Sequence, residues 1–222
     1  MGIKTVDLFD LSQTIAERFL SKYQYPWEAL PDIKGFILTL GKTLGSDEFD
    51  NPYENVWISK CAKIHKNAEI IGPTIICGNT ELRTGAFIRG GVIIGENCVI
   101  GNSCEIKNSI IFNNVQVPHF NYIGDSILGF KAHTGAGAIT SNVKSDKSLV
   151  KIKCGEKVIE TNLKKFGAII GDYVEVGCNC VLNPGTIIGK NTNIYPLSSV
   201  RGVVPPDSIY KAKDDIVLKN KL

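Results

Sequence analysis

The chain has 222 residues and 24.2 kDa, with 43% apolar and 21% charged side chains, so it can bury a core without staples and is neither a disordered tail nor a membrane-spanning polypeptide. Lys and Arg number 25 against 22 Asp and Glu, and the resulting +3 is spread without a run of five like charges, which argues against nucleic acid or a membrane surface as partner. The seven cysteines are odd in number and MGIKTVDLFDLSQ has no leader pattern, so reduced thiols and a cytoplasmic location are expected.

Residues 1–50 open with Leu8, Leu11, Ile15 and Phe19 at helical spacing, and Ile33 to Leu44 is a second apolar stretch read as helical. They predict a helical N-terminal cap, useful where a sheet would otherwise end in a raw edge. DNPYEN then reads as a linker over 51–57.

From Ile58 a six-residue ruler begins: Ile58, Ile64, Ile70, Ile76, Leu82, Ile88, Ile94, Ile100, Ile106 and Phe112, without one polar residue. Two positions ahead runs a second register of small or β-branched residues, from Ala62 and Ala68 to Cys98 and Cys104. A period of six fits neither a helix nor a continued two-sided strand, so the chain must turn a corner once per repeat. Gly72, Gly78, Asn79, Gly95, Asn97 and their later counterparts supply permissive backbone at those corners. Short strands joined by corners describe a left-handed parallel β-helix, a triangular prism of parallel strands with about 18 residues per coil and about six to seven coils over 58–212.

Through 113–139 the ruler wavers, with Pro118 where an aliphatic was due, and between Ser141 and Phe166 it stops. SLVKIKCGEKVIETNL alternates around CGEK and predicts a β-hairpin leaving the prism over 141–166. The ruler restarts at Ile170, Val176, Leu182, Ile188, Ile194 and Val200, and 213–222 reads as a tail.

Chemistry is expected where the ruler breaks. Of three histidines, His119 and His133 are fourteen apart, unlike a zinc site of a trimeric β-helix, and no metal is expected. Cys98, Cys104 and Cys180 fall in small inward slots as packing residues. His119 is the candidate general base, set against a plain surface histidine.

At ELRTG, CEIKNS, HFNYIGDS and GAGAITSN the sequence resembles the acetyltransferase half of the bifunctional N-acetylglucosamine-1-phosphate uridyltransferase/glucosamine-1-phosphate acetyltransferase family, over about residues 58 to 212. The resemblance implies an acetyl-CoA-dependent N-acetyltransferase acting on glucosamine 1-phosphate or a related amino-sugar phosphate, in UDP-N-acetylglucosamine biosynthesis. It implies Arg83 and Lys107 on the sugar phosphate, His119 as base, Tyr122 and Asn142 on the sugar, and the Ala136 amide facing the oxyanion. His133 stands at a substrate-binding position, and Cys178, Pro196 and Lys213 match the region that contacts acetyl-CoA, with sites shared in a homotrimer.

The departures are His133 in place of the family's Asn, Val143 in place of a Tyr, and the long hairpin in place of a short lysine-bearing loop. No LAAGxGTR-like nucleotide-binding segment is present, so a stand-alone protein without uridylyl transfer or its magnesium site is expected. The alternatives are an acyltransferase for another, nucleotide-linked amino sugar and a trimeric sugar-phosphate-binding module without turnover.

Overall fold

The structure is a computed structural model that describes residues 2–155 and 157–219. Short parallel strands stack into three long faces, the strand order and coil length being those of a left-handed parallel β-helix. The first face begins at Val56–Ser59, the second at Lys63–Ile64 and the third at Glu69–Ile70. Following the pairing upward gives eight rungs on the first face, ending at Val203–Val204, and eight on the second, ending at Ser208–Ala212. The third face has seven, ending at Ser199–Val200. The coil count is thus slightly higher than the sequence suggests, because Val203–Val204 and Ser208–Ala212 at the upper end lie beyond the last position of the ruler, Val200.

The wavering register has a physical cause. Thr74 pairs with Val92, eighteen residues on, but Val92 pairs with Ser109 and Ser109 with Ser126, seventeen residues apart each. One residue is missing from the corner between the third and first faces in two successive coils. There the strands Glu105–Ile111 and Tyr122–Leu128 run through the corner without a break, with Asn108 and Asp125 at φ of 45° and 48°. The inward aliphatic after Ile106 is therefore Ile111, in place of Phe112, which lets Val117 fill the slot next to Pro118.

The interior is the predicted aliphatic stack: Ile76, Ile88, Ile94, Ile100, Ile106 and Ile170 are all fully buried. Small inward hydroxyls and thiols bond to the backbone of the neighbouring coil, as when Cys98 Sγ donates to Phe112 O at 3.0 Å. Burial pushes the Cys77 and Cys98 thiols up to about 12, so they are inert packing groups.

A second apolar ridge points outward from the first face: Ile75, Ile93, Ile110, Ile127, Ile169 and Ile187, also fully buried. Two segments cover it. The first is the N-terminal cap, whose helix Ile33–Gly41 lies over the earlier coils while 3-10 turns precede it. The second is the hairpin Lys151–Cys154 and Lys157–Glu160, which packs near Gly185 and Gly202, while the Phe166 ring at its root lies 6.1 Å from Trp27 of the cap. The cap is less helical than its spacing predicts: Thr5–Leu8, Leu11–Gln13 and Glu17–Leu20 are separate short turns, and Ile15 is exposed. It is pinned by Asp172, whose carboxylate accepts from Asp10 N at 2.7 Å and Phe130 N at 2.9 Å and pairs with Lys190 Nζ at 3.1 Å.

The expected linker is instead partly strand: Phe49–Tyr53 pairs antiparallel with Val56–Ser59 and closes the lower end of the prism. Asp215–Leu218, in the expected tail, pairs antiparallel with Ser208–Ala212, and residues 220–222 lie outside the described ones. Among the described residues no helix is long and apolar enough to cross a membrane.

Candidate active site

Two corners of the prism carry the singled-out side chains, with the third face between them. At the corner joining the second and third faces stands His119, exposed at the end of the strand Gln116–His119. Its backbone is fixed by Asn121, 2% exposed, whose Oδ1 accepts from His119 N at 3.1 Å while Nδ2 donates to Gly135 O at 2.8 Å and Ala138 O at 3.1 Å. Gly137 N donates to His119 O at 3.0 Å, so the histidine is tied to the GAG turn of the next coil. Among the described residues the Ala136 N–H meets no acceptor. Cys178 and Pro196 continue the same corner upward, both exposed. Phe120 follows His119 and Leu197 follows Pro196 at this corner, 63% and 79% exposed, each in the left-handed backbone region that bulky residues rarely occupy. Lys213 is exposed in the turn that leads to Asp215–Leu218.

At the corner joining the third and first faces a polar network is assembled from three coils. Asp125, 4% exposed, accepts from Lys107 Nζ at 3.1 Å and from Asn142 Nδ2 through Oδ2, and from Asn108 Nδ2 at 3.0 Å through Oδ1. Asn142 Nδ2 also donates to the Tyr122 hydroxyl at 3.2 Å. The Tyr122 ring crosses the outer surface of the third face over Gly124, where a Cβ would come 2.5 Å from the hydroxyl, so only glycine admits this pose. Burial pushes the Tyr122 phenol above its ordinary range, with Lys107 pulling it back, so it remains a neutral donor. Lys107, Tyr122 and Asn142, named from the sequence, therefore converge.

Arg83 does not join them. It lies at the other corner, two coils below His119, with its guanidinium 3.2 Å from Glu81. It lines a separate groove with Lys63, His65 and Asn102. The cation directly beneath Lys107 is Arg89, which donates to Glu105 at 2.5 Å and lies 5.9 Å from the Phe87 ring centre. The signal was available: Arg89 precedes Lys107 by 18 residues, one coil, whereas Arg83 precedes it by 24. Asp125 was the other omission, since a lone acidic residue within YIGDS carries no pattern of its own. His133 sits on the second face, its Nδ1 2.7 Å from Glu175 Oε2, away from Tyr122.

Residues 70–164 match the family model described as the GMPPB C-terminal domain. The chain is 37% identical over 112 residues to "Bifunctional protein GlmU" of Methanococcus aeolicus, covering 50% of this chain and 27% of that protein. It is 36% identical over 87 residues to the "Bifunctional sugar-1-phosphate nucleotidylyltransferase/acetyltransferase" of Sulfurisphaera tokodaii, covering 39% of this chain and 22% of that protein. The chain thus spans about a quarter of the length of these relatives. Among solved structures, a mutant of perosamine N-acetyltransferase from Caulobacter crescentus, in complex with CoA and GDP-perosamine, aligns at 14% identity and a TM-score of 0.35, covering 75% of this chain and 57% of that one. The class defined by fold and likeness is the hexapeptide-repeat β-helix. Within that class the chain has GlmU-like acetyltransferases among its homologues.

Proposed function

We propose that this chain transfers an acetyl group from acetyl-CoA to the amine of an amino-sugar phosphate, glucosamine 1-phosphate or a close relative. The observation that carries this reading is the convergence of Lys107, Tyr122 and Asn142 at one end of the third face, with Arg89 a coil below and His119 at the other end. Two cations in one column suit a phosphate dianion, and Arg89 takes the place first given to Arg83. The Tyr122 hydroxyl and the Asn142 amide suit the hydroxyl and amide edges of a sugar.

With the phosphate at that end, the sugar amine points along the face toward His119. The amine nitrogen attacks the thioester carbon, His119 takes the proton the nitrogen sheds, and the Ala136 N–H meets the oxyanion. The C–S bond then breaks, and the CoA thiolate leaves to take up that proton. Cys178, Pro196 and Lys213 offer a path for acetyl-CoA along the corner. The exposed Phe120 and Leu197 suit a surface covered by CoA or by a second copy, as in a cytoplasmic homotrimer.

The test is CoA thiol release by purified protein with amino sugars and their phosphates, beside His119→Ala. Release should need a phosphate-bearing amino sugar and fall by about 10² to 10⁴ in the variant. Release unchanged in His119→Ala removes the base, and no release with any acceptor removes the activity.

A further inference from the structure

Where the third and first faces meet, a cavity of about 300 Å³ opens between three parts of the chain that are distant in sequence. Leu30 and Pro31 of the cap form one wall, Asn108 and Asp125 of the shortened corners the floor, and Lys164 and Lys165, returning from the hairpin, the other wall. Asn108 Nδ2 ties floor to cap through Leu30 O at 3.2 Å. The Lys34 side chain of the helix Ile33–Gly41 lies over Gly91, its Cε 3.2 Å from where a Cβ would be, beside Asn108.

The charges here do not balance. Asp125 is the one carboxylate lining the cavity, and Lys107, Asn108 and Asn142 already engage it. Asp32, next to Pro31, accepts from the Tyr23 hydroxyl at 2.7 Å instead. Among the described residues none of Lys34, Lys164 and Lys165 forms an ion pair. Lys164 and Lys165 therefore line, and Lys34 flanks beside Asn108, a partly apolar recess that shares Asp125 with the Lys107 network. All three sit on segments that the repeat itself does not require, Lys34 on the cap and Lys164 and Lys165 at the root of the hairpin.

We infer that this cavity is a second phosphoryl subsite, and that the acceptor is a diphosphate ester: an amino sugar whose first phosphate meets Lys107 and Arg89 and whose second meets Lys164, Lys165 and Lys34, with the ester group against Pro31 and Leu30. This rests on the reading above, in which Lys107 meets the acceptor's first phosphate. The other diphosphate in the proposed reaction belongs to CoA, but the corner suited to CoA lies across the third face.

The experiment is calorimetric titration of the full chain with inorganic phosphate and inorganic pyrophosphate, with and without saturating CoA. Pyrophosphate should bind at least about tenfold tighter than phosphate. A Lys164→Ala/Lys165→Ala double variant should bring that ratio close to one, while Lys157→Ala, on the same hairpin but outside the cavity, keeps it. Equal affinities, a ratio that survives the double variant, or loss of pyrophosphate binding in the presence of CoA would each overturn the inference. Failure of the catalytic reading looks different: no thiol release with any acceptor, at an intact pyrophosphate preference.

Discussion

The two corners that flank the third face are built by opposite means. The corner of His119 keeps the full repeat and works through backbone: Asn121 and Gly137 bind main-chain groups, and among the described residues the Ala136 N–H of the GAG turn meets no acceptor. The corner of Lys107 has lost a residue in two coils and works through side chains, with Asp125 at the centre and cap and hairpin root beside it. A regular solenoid corner places a group accurately because every rung below repeats it. A shortened one bends the chain inward and makes room for charge to be gathered from elsewhere. In the proposed function, position is set at one corner and recognition at the other.

The comparison can be broken most severely at Asn121. Asn121→Leu leaves His119 N and the carbonyls of Gly135 and Ala138 without their partner, and should cost about 2 to 4 kcal/mol by denaturant titration together with most of the acetyl transfer. Full activity in this variant would mean the corner holds His119 without it. Asp125→Ala is next: it frees Lys107 and Asn142 from a nearly buried carboxylate and should cost about 2 kcal/mol while raising the KM for the phosphate acceptor. A changed kcat at unchanged KM would place Asp125 in the chemistry rather than in recognition. Arg89→Ala and Arg83→Ala sharpen the assignment between corners. The first should raise acceptor KM about tenfold with kcat nearly unchanged, and the second by less than about twofold. The reverse ranking would restore Arg83 as the phosphate ligand.

The smallest effect concerns Asp172, outside both corners. Burial raises its carboxyl above the ordinary 3.8, outweighing its hydrogen bonds with Asp10, Lys190 and Phe130. The stability given by the protonated form is then lost as pH climbs through the raised value. Asp172→Asn removes that loss, so the variant should gain on the wild type in urea midpoint between pH 4 and pH 7. A gap that is flat or moves the other way would show the ionised form favoured by its partners.

Much of the prism was legible because its signal is repeated: each inward aliphatic from Ile58 to Ile106 restates the same constraint. The hairpin was equally readable from its alternation around CGEK. The one-residue deletions were not, because they appear only as a drifting ruler until pairing fixes them at Lys107–Asn108 and Gly124–Asp125. A readable clue was passed over in TII, VII, SII, SIL and AII. Adjacent aliphatics on one face in three mean that its outer side is buried too, and so announce the cover made by cap and hairpin. Of the site, Lys107, Tyr122 and Asn142 were found through motif likeness. Arg89, in register one coil beneath Lys107, lies outside the ELRTG motif that points to Arg83, and Asp125 is not legible because a buried carboxylate is defined by neighbours contributed from other coils.

That cover also constrains assembly. A triangular prism offers three flanks, and here the outward isoleucine ridge of one is already occupied by the chain's own cap and hairpin. Any side-by-side association of copies must use the remaining two flanks. These are the surfaces that bear His119, Tyr122 and the exposed Phe120, so a neighbour docking there would wall in the proposed site, and dilution that separates copies would open that site before it unfolds the prism.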